Sequence, residues 1–138
     1  MNSMPADEKE HIISKLISVL GNKAEFALVF GSILSENFND NSDIDTAVYL
    51  HKEFNTPETK YELRKEIINL FNRDIDLVFL NDADIIITMQ ILANGSLIIN
   101  EIPSLYILFK AKKISEYLDF KLSRKIIENN LLNGRLYA

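Results

Sequence analysis

The sequence predicts an alternation of helices and strands, an α/β (α+β) fold whose last third is helical. Stretches with apolar residues at helical spacing alternate with short runs rich in β-branched and aromatic residues. Gly, Pro, Asn and Asp punctuate the joins, and from Pro103 onward only the helical spacing continues. A chain of 138 residues with 47% hydrophobic content suffices for one core, so residues 1–138 are expected to form a single domain with a helical region at about 103–133.

Residues 11–20 place Ile12, Ile13, Leu16, Ile17 and Leu20 on one helical stripe, which stops at Gly21-Asn22. A strand over 25–30 follows, then one helical turn over 32–36, a polar loop over 37–42 and a second strand over 43–50. Thr56-Pro57-Glu58 opens a helix with a cap residue and a first-turn proline, and Leu63, Ile67, Leu70 and Phe71 share one of its faces. Residues 73–80 read as a third strand. Asp82 or Asp84 caps a helix carrying Ile85, Ile86, Met89 and Leu92, which Asn94-Gly95 closes before a short edge strand over 96–100. Pro103 then opens a long helical region through Leu105, Phe109, Tyr117 and Leu118, with a break expected near Asp119-Phe120, reaching Leu132.

The chemistry concentrates where the first two strands meet. The first strand ends Val29-Phe30-Gly31-Ser32, and after ten intervening residues the second opens Asp43-Ile44-Asp45. Strand side chains alternate, so Asp43 and Asp45 project from one face, and Ile44, Ala47 and Val48 place them in a buried run. Two close, buried carboxylates repel unless a cation stands between them, and a hard divalent ion with oxygen ligands is the expected companion. Gly31 permits a tight turn, and Ser32 offers an N–H and a hydroxyl at an expected helix N-terminus, where an anion is favoured. In the third strand Asp76 sits between Ile75 and Leu77 as the candidate third ligand, and Asp74, on the same face, is its rival.

This pattern resembles the signature of the DNA polymerase beta-like nucleotidyltransferase superfamily. Along its whole length the chain resembles one branch, the minimal nucleotidyltransferase (MNT, MntA-type) antitoxins of HEPN/MNT toxin–antitoxin systems, through Asp76-Leu77-Val78, Leu80-Asn81, Ile91-Leu92, Asn94-Gly95, Ile98-Ile99 and Tyr117-Leu118-Asp119. The resemblance implies a small mixed sheet flanked by helices. It also implies an ATP-dependent protein adenylyltransferase that moves AMP to a tyrosine hydroxyl of a HEPN ribonuclease toxin and neutralises it. Gly31 and Ser32 would hold the triphosphate, Asp43 and Asp45 would bind two Mg2+ ions, and Asp76 would complete the metal that activates the hydroxyl. One departure stands out: no Arg or Lys lies between Ser32 and Asp43, where many members carry a small or basic residue. Arg73, Lys110 and the terminal Lys and Arg residues are the candidates to replace it.

A net charge of −5 argues against a general grip on nucleic acid, and no stable DNA binding is expected. The basic stretch Lys110, Lys112, Lys113, Lys121, Arg124 and Lys125 reads first as a solvated helix face. With no cysteine, no membrane-length apolar run and no leader pattern, a cytoplasmic protein away from membranes is expected. His11 and His51 are expected at the surface, and Phe26, Phe30, Phe71 and Phe79 in packing positions. Tyr49 shares the face of Asp43 and Asp45 and is a candidate to line the site. Two rival functions stand beside adenylylation of a toxin: transfer to a small-molecule acceptor, and neutralisation of the toxin by stoichiometric binding alone.

Overall fold

The computed structural model describes residues 6–133. Its elements run α1 (Ala6–Leu20), β1 (Ala24–Phe30), a 3-10 turn (Gly31–Leu34), β2 (Ile44–Leu50) and α2 (Pro57–Phe71). β3 (Ile75–Phe79), α3 (Ile85–Asn94), β4 (Ser96–Asn100) and α4 (Pro103–Leu132) complete the chain, with a short 3-10 turn at Lys52–Phe54 after β2. The four strands form one mixed sheet in the order β3-β2-β1-β4. β1 pairs antiparallel with both β2 and β4, while β2 and β3 run parallel with Asp45 beside Asp76.

Helices cover both faces of this sheet. On one side Ile12, Leu16 and Leu20 of α1 and Leu63 and Ile67 of α2 pack on Ala27, Val29, Ile44, Val48, Leu77 and Phe79. On the other, Phe26, Leu28, Ala47 and Ile91 form a second cluster against which Tyr106 and Phe109 of α4 lean. Alternation along β2 therefore sends Asp45, Ala47 and Tyr49 toward the α3/α4 face and Ile44 and Val48 toward α1 and α2. Each large apolar side chain so buried contributes roughly 1.5–3 kcal/mol relative to exposure.

The helix boundaries follow from their caps. Thr56 Oγ1 accepts the Thr59 N–H with Pro57 in the first turn, and the Asp84 carboxylate accepts the N–H groups of Ile86 and Ile87. Asn72 ends α2 in the left-handed conformation, with φ of 49°. The expected break near Asp119-Phe120 does not occur: α4 is continuous over 30 residues, since neither Gly nor Pro interrupts it. The turn after β1 is likewise shorter than expected, a single 3-10 turn ending at Leu34 because Ser35 is already extended.

Candidate active site

The acidic residues gather where β1 ends and β2 and β3 begin. In the ladders Phe30 lies opposite Asp45 and Asp45 beside Asp76, so the backbone leaving Phe30 passes directly over the Asp45 carboxylate. Gly31 makes that passage possible. Its φ is +71°, and a Cβ there would collide with the carboxylate of Asp45, so both the backbone and the close approach exclude other residues. Ser32 ties the turn to the second strand: its backbone N–H lies beside the Asp45 carboxylate and favours its charged form, and its hydroxyl donates to the Asp43 carbonyl at 3.3 Å.

Burial holds the Asp45 carboxyl above the usual carboxylate range, and the nearby charges of Asp76 and Asp43 push it further up. The Ser32 N–H opposes this shift without cancelling it. Asp74 is not among the charges that move Asp45. Its backbone carbonyl instead accepts the Ile44 N–H at 3.0 Å, joining the start of β3 to the start of β2. Of the two rival third acids, Asp76 is therefore the one the fold brings to Asp45. Two expectations need correction. Asp43 lies just before β2 and is exposed rather than part of a buried run, and Asp76 is exposed at the sheet edge. The expected helix N-terminus at Ser32 is only one 3-10 turn, so a helix dipole adds little there.

Among the described residues none of these three acids is in an ion pair, and no three His, Cys, Asp or Glu side chains close into a ready cage. Three mutually repelling, oxygen-bearing carboxylates without a basic partner still fit a hard divalent ion, which would relieve the repulsion felt by Asp45.

Arg73 was a candidate to replace the missing basic residue, but the fold uses it otherwise. Its Nε donates to the Ser42 carbonyl at 2.9 Å, and its Nη2 donates to the same carbonyl at 2.6 Å and to that of Asn39. The guanidinium also lies 4.8 Å from the ring centre of the buried Phe38. Arg73 thus clamps the 39–42 loop that delivers Asp43, and the sequence offered only its place beside Asp74 as a hint.

The remaining candidates lie elsewhere. Tyr49 stacks on Phe26 with ring centres 5.0 Å apart and meets Phe109 edge-on, so it packs the sheet far along β2 from Asp45. His11 is exposed, whereas His51 is half-buried between Glu25 at 3.4 Å and Glu101 at 3.9 Å. Lys113 pairs with Glu116 at 3.0 Å, and Lys121 and Lys110 lie over tyrosines of their own helix, as a solvated face would place them. Among the described residues no helix is long and apolar enough to cross a membrane.

Toxin–antitoxin complexes are among the solved structures with this architecture. The MntA–HepT toxin–antitoxin structure superimposes with a TM-score of 0.70 at 25% identity, over 89% of this chain and 98% of the other. A toxin–antitoxin structure with AMP-PNP gives 0.73 at 26% identity, over 87% and 98%. The MNT antitoxin in complex with a tri-AMPylated HEPN toxin from Shewanella oneidensis shares the fold, with a TM-score of 0.71 at 24% identity over 90% and 98%. No curated protein sequence matches the chain significantly. Residues 12–103, which include the whole sheet and all the gathered acids, match the family model described as polymerase beta, nucleotidyltransferase. The chain belongs to the polymerase beta nucleotidyltransferase family.

Proposed function

We propose that the chain is a Mg2+-dependent protein adenylyltransferase, an antitoxin that moves AMP from ATP to a tyrosine hydroxyl of a cognate HEPN toxin. The observation that carries this reading is Asp45: a carboxylate packed against Gly31, beside Asp76 across the ladder, and raised by burial and by the charges of Asp76 and Asp43. The likeness to toxin–antitoxin structures, one of them with AMP-PNP, supports ATP as donor and a HEPN toxin as partner. The tri-AMPylated toxin of the Shewanella oneidensis complex names the product formed on a relative's partner.

In this reading Gly31 and Ser32 hold the triphosphate at the turn that follows β1. Asp43, Asp45 and Asp76 would hold two Mg2+ ions, which when bound supply charge neutralisation and a lowered pKa at the attacking oxygen. Asp45, between the turn and Asp76, lies at the centre of the set. Phosphoryl-group transfer asks the protein mainly for alignment and electrostatics, and these residues are placed to give both. Asp76, exposed at the sheet edge, faces the side from which an acceptor hydroxyl would arrive and is placed to receive its proton.

The test combines the purified protein, Mg2+, ATP and a cognate HEPN toxin, with intact mass measured for both chains. Addition of AMP units to the toxin by the wild type, lost in Asp43→Asn although the complex still forms, supports catalysis. Full neutralisation of the toxin by Asp43→Asn would sink the enzymatic reading in favour of occlusion. Modification of a small hydroxylated acceptor in place of the toxin would redirect it to small-molecule transfer.

A further inference from the structure

The strand order gives the site a direction. Gly31 and Ser32 follow β1, Asp45 stands on β2 and Asp76 on β3, so the turn and the outer sheet edge lie on opposite sides of Asp45. An in-line displacement places the attacking oxygen opposite the leaving pyrophosphate. With the triphosphate against the turn, the acceptor arrives over β3.

A groove of 490 Å³ opens there, running from Asp76 along β3 between α2 and the start of α3. Lys60 and Arg64 of α2 line it with Phe79, and Asp82 and Asp84 stand across from them. The acids of that far wall are already engaged: Asp82 pairs with Lys60, and Asp84 caps α3. Arg64 is different. Its Nη2 donates to the Leu77 carbonyl at 3.2 Å and its guanidinium lies 4.8 Å from the Phe79 ring centre, yet among the described residues it joins no carboxylate. A neutral carbonyl and a ring orient the guanidinium without cancelling its charge, and its remaining N–H groups suit a phosphate.

We propose that Arg64, with Lys60 beside it, forms a phosphodiester subsite for the AMP already transferred, so that the enzyme adds further units to the same acceptor. This rests on the adenylyltransferase reading. Each transfer creates a phosphodiester next to three carboxylates, which repel it unless a cation takes its charge. Held by Arg64, the phosphodiester keeps the ribose hydroxyl of its own AMP beside Asp76. In the next round that hydroxyl oxygen bonds to the α-phosphorus of a second ATP. The bond from that phosphorus to the oxygen bridging to the β-phosphate breaks, pyrophosphate leaves with the electron pair, and the hydroxyl proton passes to Asp76 and from there to water.

The experiment follows the intact mass of the cognate HEPN toxin over time with Mg2+, ATP and wild type, Arg64→Ala, Arg64→Lys or Lys60→Ala, each checked for its melting temperature. The wild type is expected to add more than one AMP. Arg64→Ala is expected to stop at one, its first transfer within about twofold of wild type, because a subsite used only after the first round leaves that round's barrier unchanged. Arg64→Lys is expected to restore part of the later additions, and Lys60→Ala to slow them. A wild type that adds a single unit, an Arg64→Ala ladder equal to that of wild type, or equal loss of first and later transfers overturns the subsite. If Arg64→Ala melts early, Arg64→Lys and Lys60→Ala decide the matter by the same ladder. No transfer by wild type would instead overturn the adenylyltransferase reading, and the subsite with it.

Discussion

The sheet and α4 are surrounded in opposite ways. In β1 the residues Ala24, Phe26, Ala27, Leu28 and Val29 are each no more than 1% exposed, whereas α4 has no buried residue along its 30 positions. Ile107, Leu108, Leu118 and Leu122 of that helix are 59–66% exposed. The family match covers the first region and ends at residue 103, where α4 begins. Strands packed on both faces fix their neighbours to within one register, which is what carboxylates converging from two strands require. A helix that leans on the sheet through Tyr106 and Phe109 and leaves its other side open carries no such constraint. The chemistry is thus confined to the region where packing permits least variation.

The sharpest way to break that comparison is Asp45→Asn. Transfer should fall by at least roughly 10²–10³-fold, the scale of losing one electrostatic partner of a transition state. Stability should move the other way. A carboxyl raised above 3.8 by burial, Asp76 and Asp43 contributes stability while protonated, and that contribution is lost as pH rises through its folded value. Asn carries no charge to repel. In EDTA at neutral pH Asp45→Asn should therefore melt above wild type, and the difference should close as the pH is lowered past the unfolded value. Mg2+ should raise the wild-type midpoint more than that of the variant. An Asp45→Asn protein that melts below wild type at neutral pH would show that crowding of carboxylates is not what strains this site.

Arg73 tests whether the constraint extends one step beyond the acids. Arg73→Ala removes the donors to the Ser42 and Asn39 carbonyls, and the loop entering Asp43 loses its clamp. Metal affinity or turnover should fall by roughly 10–100-fold, the usual cost of losing a group that orients a ligand. The half-saturating Mg2+ concentration should rise with the melting temperature little changed, and Arg73→Lys should recover only part because an ammonium cannot span two carbonyls as the fork does. An unchanged Mg2+ dependence in Arg73→Ala would restrict Arg73 to holding the fold.

Much of the first region was legible in the sequence, for reasons the structure makes plain. Gly31, Asp45 and Asp76 could be read because their spacing fixes where strands start and stop, and strand pairing does the rest. Thr56 and Asp84 could be read because capping is local chemistry. Arg73 could not, since its partners are backbone carbonyls that any sequence supplies, and only the tertiary approach of β3 to the 39–42 loop selects them. Tyr49 was misplaced for a related reason: alternation assigns a face but not a distance along it, and four residues carry it roughly 13 Å from Asp45. The burial of Asp43 was overestimated because a residue that only precedes the strand was counted with its interior.

The smallest expected effect lies in α4, and it bears most directly on the contrast between the two regions. Ile107, Ile114, Leu118 and Leu122 follow one another at spacings that keep them on one side of the helix, and all are exposed. Replacing Leu118 and Leu122 together with Glu removes no buried contact, so unfolding free energy should change by no more than about 0.5 kcal/mol per site. Leu16→Ala, at a position wholly buried between α1 and the sheet, should cost roughly 2–5 kcal/mol through lost transfer energy and the cavity it leaves. Denaturant unfolding of the two variants measures both. Equal losses would mean that the outer stripe of α4 is covered in solution by another chain, and the protein would then have to be treated as an assembly in which α4 is core as much as β1 is.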